Sequence, residues 1–488
     1  MTILNKRILR QVLLLCLLVY LVTAKGYIVD SDTFYSLKTA QALVDQGRLD
    51  IPNDGYTLIS KNGRSYSKYG FGLPMYYLPL VAASEALSRV THLPQFDLVG
   101  FLISFANIPF AMLTLIIFAK LLKLLKVNEV YIWLSLLALG LGTLVWEYAV
   151  NDASEQMQMC LLLLSLYGVA RRTPRALVFG GIGFGWLFLV KQVYVVFFPL
   201  LLLYLITRPG EWRPRIRNTI LLSFPVFLAG CFDAWLNLIR FGNPLESGYG
   251  SEASRFIIAQ LPQTVPKLLG SLDKGLFIFC PILILGLFGW KHFASKYRAE
   301  AVLFASLILV NLLLSAAWWS WMGGWSWGPR LIVPLIPLWF LPAVFWLERR
   351  QSKVSNRIFV ALLVISILGQ IPGVLVKDQE IHQIKEDSLT AQEQRDAPSD
   401  YAMALILLRH KLIEHGEVYR VSEFHLPGDR EVDMTGFRTF NGLNVWTEEA
   451  ARLEHKPLLR WLPLLALFPI CYLAVKIGNA LRPLDLQR

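Results

Sequence analysis

FGLPMYYLPLVAASEALSRV, residues 71–90, is apolar enough to cross a membrane, yet it carries Pro74, Pro79, Glu85 and Arg89. A second stretch, ALVFGGIGFGWLFLVKQVYVVFFPLLLLYLIT at 176–207, is too long for one untilted helix and is interrupted by Lys191 and Gln192. Each fixes the side on which everything after it lies. Clear spans run near 8–28, 98–124, 130–150, 155–170, 217–238, 274–290, 300–318, 329–347, 357–376 and 458–480. With 71–90 on the membrane surface and 176–207 as two short spans, six basic clusters share one side: Lys120–Lys126, Arg171–Arg175, Arg208–Arg217, Lys291–Arg298, Arg349–Arg357 and the Arg482–Arg488 tail. Changing either assignment alone moves several of them outside, against the positive-inside bias. The sequence therefore predicts an all-α polytopic protein of the cell (inner) membrane, with about 12 transmembrane helices and both termini cytoplasmic.

Composition agrees. Hydrophobic residues make up 55% of the chain and charged residues 17%, against ~45–50% and about a quarter in soluble domains. The net charge of +12 does not point to nucleic acid, because the basic residues sit in short clusters between apolar runs. Cys16, Cys160, Cys231, Cys280 and Cys471 all lie within apolar runs, so neither a disulfide framework nor a thiolate metal site is expected. The first apolar run, after Lys6, Arg7 and Arg10, is expected to stay as a helix, since it has no clean small-residue cleavage site.

This topology places 29–97, Asn151–Glu155, 240–273 and 377–456 outside, with the small Trp318–Arg330 turn. Residues 1–376 form the transmembrane region, with 29–97 as its first outer loop. Residues 377–456 form an extracytoplasmic segment, and 457–488 the last helix and cytoplasmic tail. Within 377–456, SDYAMALILLRHKLI reads as an amphipathic helix, one of several expected on the outer face. The cytoplasmic loops are short and hold no Walker-type phosphate loop, so chemistry belongs to the outer face or the membrane.

The densest polar constellation follows the first span: VDSDTFY, residues 29–35. Asp30 and Asp32 can be helix-start residues, with Asp32 as N-cap. They can also deprotonate an acceptor or hold a metal ion. In SYSKYGFGLP, residues 65–74, Lys68 stands at headgroup depth, either as an interfacial anchor or as a phosphate contact. WSWGPR, residues 325–330, ends in Arg330, a fork of donors suited to phosphate, beside tryptophans of the kind that line membrane interfaces. Glu147 and Lys191 interrupt apolar runs and need partners. Asp152 is expected to be a solvated loop charge, and Asp233 could pair with Arg240. No HExxH or paired-His spacing supports a metal.

The order of these segments resembles the GT-C membrane glycosyltransferases, the broad group that includes protein O-mannosyltransferases and the lipid A aminoarabinose transferase. The resemblance runs over roughly residues 8–376 and draws also on GGIGFGWLFLVKQVYVVFFPL, RFGNPLESGY, DKGLFIFCP and GGWSWGPRLIVPLIP. The family's first outer loop carries an acidic pair. Here that slot holds Asp30-Ser31-Asp32, with Thr33 where a second acid would follow Asp32. The resemblance implies transfer of a sugar from a polyprenyl-phosphate-linked donor to a glycan, lipid or protein acceptor on the outer face. It implies Asp32 as the base, with Asp30 as the alternative, and Lys68, Arg330 and Lys191 on the donor phosphate. Glu147, Glu155, Tyr69 and Tyr249 would line the donor or acceptor pocket. No cofactor beyond the donor is required, although a divalent metal remains compatible. A transporter or flippase of a lipid-linked or small polar substrate is the competing expectation, carried only by the break at 191–192, since the two halves show no duplication.

Overall fold

The computed structural model describes residues 3–28, 30–350, 352–413, 418–420, 431–433, 443–447, 450 and 461–486. Its helices are α1 Ile3–Thr23, α2 Ser31–Gln46, α3 Gly72–Thr91, α4 Gln95–Ser104, α5 Asn107–Leu124, α6 Glu129–Leu141 and α7 Val145–Val150. There follow α8 Glu155–Arg171, α9 Pro174–Val190, α10 Phe198–Ile206, α11 Trp212–Phe241, α12 Leu261–Gly270, α13 Leu276–Phe279 and α14 Ile284–Lys296. The series closes with α15 Arg298–Ala317, α16 Ile336–Arg349, α17 Lys353–Leu375, α18 Asp378–Gln383, α19 Ala391–Asp396, α20 Asp400–Ile413 and α21 Leu462–Leu486. Two short antiparallel strand pairs, Leu58–Ile59 with Ser65–Tyr66 and Val418–Arg420 with Glu431–Asp433, are the only sheets among the described residues. Part of the 377–456 segment lies outside those residues.

Among the described residues, five helices are long and apolar enough to cross a membrane: Gln95–Leu124, Trp212–Phe241, Arg298–Ala317, Arg330–Arg349 and Lys353–Leu375. Several expected spans are interrupted. The Gln95–Leu124 span is continuous in direction but carries a turn at Phe105–Ala106, between α4 and α5, next to which the Asn107 side chain donates to the carbonyls of Asn151 and Ala153 at 2.8 and 2.7 Å. The 130–150 run divides into α6 and α7 at Gly142–Leu144, and the 274–290 run breaks at Cys280-Pro281 before α14 resumes to Lys296. Proline supplies no donor to a helix interior, which accounts for the second break. The 176–207 stretch does break at its polar pair: Lys191 is extended (φ −150°, ψ 102°), and a short 3₁₀ turn leads into α10.

Packing follows small residues. Helix α9 lies between α8 and α11. A Cβ at Gly181 would come within 2.3 Å of the Leu222 carbonyl oxygen, so only glycine permits that approach. Helix α14 packs on α16, while α2 lies against the surface helix α3.

Bonds between distant parts of the sequence define two ends of the bundle. At one, Tyr297 donates to Leu125 O, Arg208 pairs with Glu300, and Asn128 N donates to Glu348 at 3.0 Å. At the other, the first loop, the start of α8, the 191–192 break and the Trp318–Arg330 turn converge.

Candidate active site

Arg330 is the centre of that second end. It opens a 3₁₀ turn (Arg330–Leu335) leading into α16 and is 7% exposed. A cation at a helix start opposes the helix dipole, so its place requires anions, and three converge on it. Its Nη1 and Nη2 donate to the two Asp30 oxygens at 2.7 and 3.0 Å. Its Nη2 also reaches Asp32 Oδ2 at 3.1 Å, and Nε reaches Glu155 Oε1 at 2.9 Å. These contacts engage four of the guanidinium's five N–H donors. Glu155 is the first residue of α8 and Asp32 lies in the first turn of α2, positions where each carboxylate gains ~0.3–1 kcal/mol from a helix dipole.

Asp30 is the N-cap residue of α2, but its side chain makes no capping bond; it is turned to Arg330 instead. The sequence allowed Asp32 as an N-cap, and the structure gives that backbone position to Asp30. Asp152, expected as a solvated charge, is 2% exposed. Its Oδ2 accepts from Asp30 N at 3.1 Å, and its carbonyl accepts from Thr33 Oγ1 at 2.7 Å. The polar backbone of the tight 151–154 turn is buried and held by Asn107, which pulls the aspartate in with it.

Lys191 Nζ lies 3.7 Å from Glu155 Oε1, which supplies the partner its place in an apolar run demands. The adjacent Gln192 donates to Asp233 Oδ2 at 2.6 Å. Asp233 and Arg240 are linked through Asn237, which donates to Asp233 and accepts from Arg240 at 3.0 and 2.7 Å, and they form no direct ion pair. Arg240 also donates to Tyr69 O at 3.2 Å, tying the Lys68–Tyr69 turn to α11. Lys68 pairs with Glu252 Oε2 at 2.9 Å and stands 5.8 and 5.5 Å from the Tyr69 and Tyr249 ring centres. The chain can pass here because a Cβ at Gly72 would meet Val190 N at 2.6 Å. The Tyr69 and Tyr249 rings meet edge to face, with Lys68 beside both and the Tyr69 hydroxyl toward the Asp32 carboxylate, so Lys68, Tyr69 and Tyr249 form one wall of the site. Tyr35, by contrast, bonds Asp54 at 2.9 Å.

Glu147 belongs to a neighbouring cluster. It is fully buried and pairs with Lys25, a residue the sequence reading had absorbed into the first apolar span. Its signal was the charge itself: a lysine ending an apolar run and a glutamate inside another are expected to seek each other. Trp327 is not an interfacial residue. It is 2% exposed, packs on Phe279 and Tyr401 at 4.8 and 5.5 Å between ring centres, and donates its backbone N–H to Asp378 Oδ2 at 3.0 Å. The turn that presents Arg330 is therefore clamped from below, whereas Trp325 is 42% exposed.

Electrostatics separate the two aspartates. Burial, then the Asp32, Asp152 and Glu155 carboxylates, outweigh Arg330 and push Asp30 up to about 8. Burial acts the same way on Asp32, but Arg330, Lys191, the Tyr69 hydroxyl and Lys68 together overcome it and hold Asp32 below the usual carboxylate range. The pair titrates as a unit, with the proton on Asp30 and the charge on Asp32. Among the described residues, no group of three or more His, Cys, Asp or Glu side chains is arranged to hold a metal ion.

No protein-family model and no curated protein matches the chain. Among solved structures it is similar to ArnT from Cupriavidus metallidurans bound to undecaprenyl phosphate, at 14% identity and TM-score 0.54, over 95% of this chain and 74% of that one. The apo structure of the same ArnT aligns at 13% identity and TM-score 0.47, over 94% and 72%. At this identity the likeness is one of fold, and it covers nearly the whole chain: the architecture is that of the ArnT structure.

Proposed function

We propose that this protein is a membrane glycosyltransferase that moves a sugar from a polyprenyl-phosphate-linked donor to an acceptor at the end of the bundle holding Arg330. One observation carries the reading: three carboxylates from two distant segments are gathered on one buried arginine, with Lys191 and Lys68 beside them. The undecaprenyl phosphate in the ArnT structure of the same fold supports a lipid-phosphate donor. The topology that goes with it has about twelve spans and both termini cytoplasmic; the meeting of residues 125, 128, 208, 297 and 348 at the opposite end supports the common side of their basic clusters.

In this mechanism Asp32, charged at neutral pH, accepts the proton of an acceptor hydroxyl or amine. The acceptor attacks the anomeric carbon, the bond from that carbon to the phosphate oxygen breaks, and its electrons remain on the lipid phosphate. Lys68 and Lys191 meet that developing charge, since both are partly exposed. Arg330, with a single N–H left on Nη1, contributes one donor to the phosphate while fixing both aspartates. Glu155 orients Arg330 and Lys191, and Tyr69 orients Asp32. Glu147 is placed beyond this pocket, as a structural partner of Lys25.

The test uses the full chain in proteoliposomes, with lipid-linked sugars extracted from the cells that make it and products read by mass spectrometry. Asp32→Asn keeps the shape and removes the basicity, so transfer should fall by roughly a hundredfold or more, and Asp30→Asn should do less. Full transfer by Asp32→Asn and by the double Asn variant would remove this loop from the chemistry. Movement of a lipid-linked sugar across the bilayer that survives both substitutions, without transfer, would favour the flippase.

A further inference from the structure

At the end of the bundle opposite Arg330, a cavity of about 810 Å³ opens among α8, α10, α14 and α15. Its volume lies in the range of small-molecule sites, ~300–1,000 Å³. Arg172, Arg208, Lys296 and Arg298 line it, against a single acid, Glu300. That acid is already taken: Arg208 pairs with it and the Tyr204 hydroxyl donates to it at 2.7 Å. Arg172, Lys296 and Arg298 form no ion pair among the described residues, and their side chains are exposed. The Arg208 Nε is buried without an acceptor among those residues. Three cations without an acidic partner among the described residues, of which Lys296 stands over the Tyr297 and Phe345 rings, and one unsatisfied guanidinium N–H thus line the same space.

The rest of the lining is of a different chemistry. Leu200, Leu203, Val302 and Leu303 form an apolar wall, of which Leu203 is 57% and Val302 60% exposed. Arg172 adds a backbone observation. It terminates α8 in the left-handed conformation (φ 57°), which glycine occupies without strain and arginine does not. The chain thus holds a long cation where the backbone favours no side chain, and backbone strain of this kind clusters at ligand sites.

We infer that this cavity binds the phosphate headgroup of an anionic membrane phospholipid, with the acyl chains lying along Leu203 and Val302. The inference goes beyond the transfer reaction and is independent of it. A basic pocket between helices at the end that carries the cytoplasmic clusters is the expected seat for such a headgroup. A soluble phosphate would use the cations but not the exposed apolar wall.

The experiment places the full-length protein in phosphatidylcholine nanodiscs with increasing phosphatidylglycerol and counts retained lipids by native mass spectrometry. The wild type should retain phosphatidylglycerol saturably and phosphatidylcholine not at all. Arg172→Gly with Lys296→Gln and Arg298→Gln should weaken retention on the order of a hundredfold, the effect of removing three basic contacts. Arg172→Gly alone relaxes the backbone, so it should melt no lower than wild type in pure phosphatidylcholine, yet bind phosphatidylglycerol about fivefold more weakly. Equal retention by the triple variant, or equal retention of phosphatidylcholine, overturns the proposal. Displacement of phosphatidylglycerol by millimolar inorganic phosphate also overturns it, by showing a free-anion site instead of a lipid site.

Discussion

Replacing Arg330 by Gln tests the centre of the site most directly. The substitution removes one charge from beneath Asp30, Asp32 and Glu155, all within 3.1 Å of its nitrogens. At an effective dielectric of ~20, one ion pair with charges about 4 Å apart is worth roughly 4 kcal/mol. The attractions to Asp32 and Glu155 are partly offset by repulsion between those carboxylates and by the loss of hydration that the charged groups suffer on burial. Breaking a buried pair by removing one partner costs about 3–5 kcal/mol, and we expect Arg330→Gln to lie in that range. The deficit should depend on pH with a definite sign. Without the cation, the carboxylates take up protons more readily in the folded state, so the folded variant binds more protons than the unfolded chain. Its stability relative to wild type should therefore improve as pH falls from 8 to 5. Glu155→Gln added to Arg330→Gln should recover much of the loss, because it removes a buried charge stranded by the missing guanidinium. The assay is unfolding in detergent at pH 5, 6.5 and 8, followed by a double-mutant cycle. A deficit under ~1 kcal/mol that is flat with pH would refute the argument, since it would class Arg330 with exposed surface pairs.

Lys25→Met should destabilise by about 3–5 kcal/mol by leaving Glu147 buried without its cation, whereas Lys25→Met with Glu147→Leu should restore most of that loss in the same unfolding assay. The transfer rate of the wild type should change near pH 8 as Asp30 loses its proton; that limb should be absent from Asp30→Asn, and its persistence there would assign the proton elsewhere. Because Asp30 is raised above its unfolded value of 3.8, its contribution to stability should fall as pH rises from about 4 to about 8. With Cys231 and Cys471 replaced, single cysteines at the exposed positions Asn62 and Leu245 should react with an impermeant thiol reagent from outside, and those at Thr173 and Ser352 should not. Labelling at Thr173 without labelling at Leu245 would reverse the topology.

The helical architecture was legible because burial in lipid leaves a coarse imprint: long apolar runs with basic flanks, and a polar Lys191-Gln192 where a run must break. Helix interruptions were not, since the turn between α4 and α5 depends on Asn107 meeting carbonyls some 44 residues away. The same physics divides the site. Asp30, Asp32 and Arg330 could be singled out because each is a charge at the edge of an apolar run. That they form one cluster could not be read, because nothing local relates residues 300 positions apart. Asp152 was misjudged because a short polar turn looks solvated whether or not a neighbouring helix covers it. Lys25 was hidden by the run that ends on it, and its partner is 122 residues distant.

The distance between Asp30 and Arg330 along the chain also sets a timetable. Translation at ~5–20 residues per second puts roughly 15–60 seconds between their syntheses. Through that interval the first loop carries its aspartates with no guanidinium to receive them, and α2 has no anchor on the turn that precedes α16. The growing chain must hold them in water at the bilayer rim, or lend them to an insertion factor, until the eleventh-hour arrival of the turn at 318–330. Nascent chains halted before residue 330 should accordingly leave the 29–97 loop open to added protease, and chains released after it should close that window.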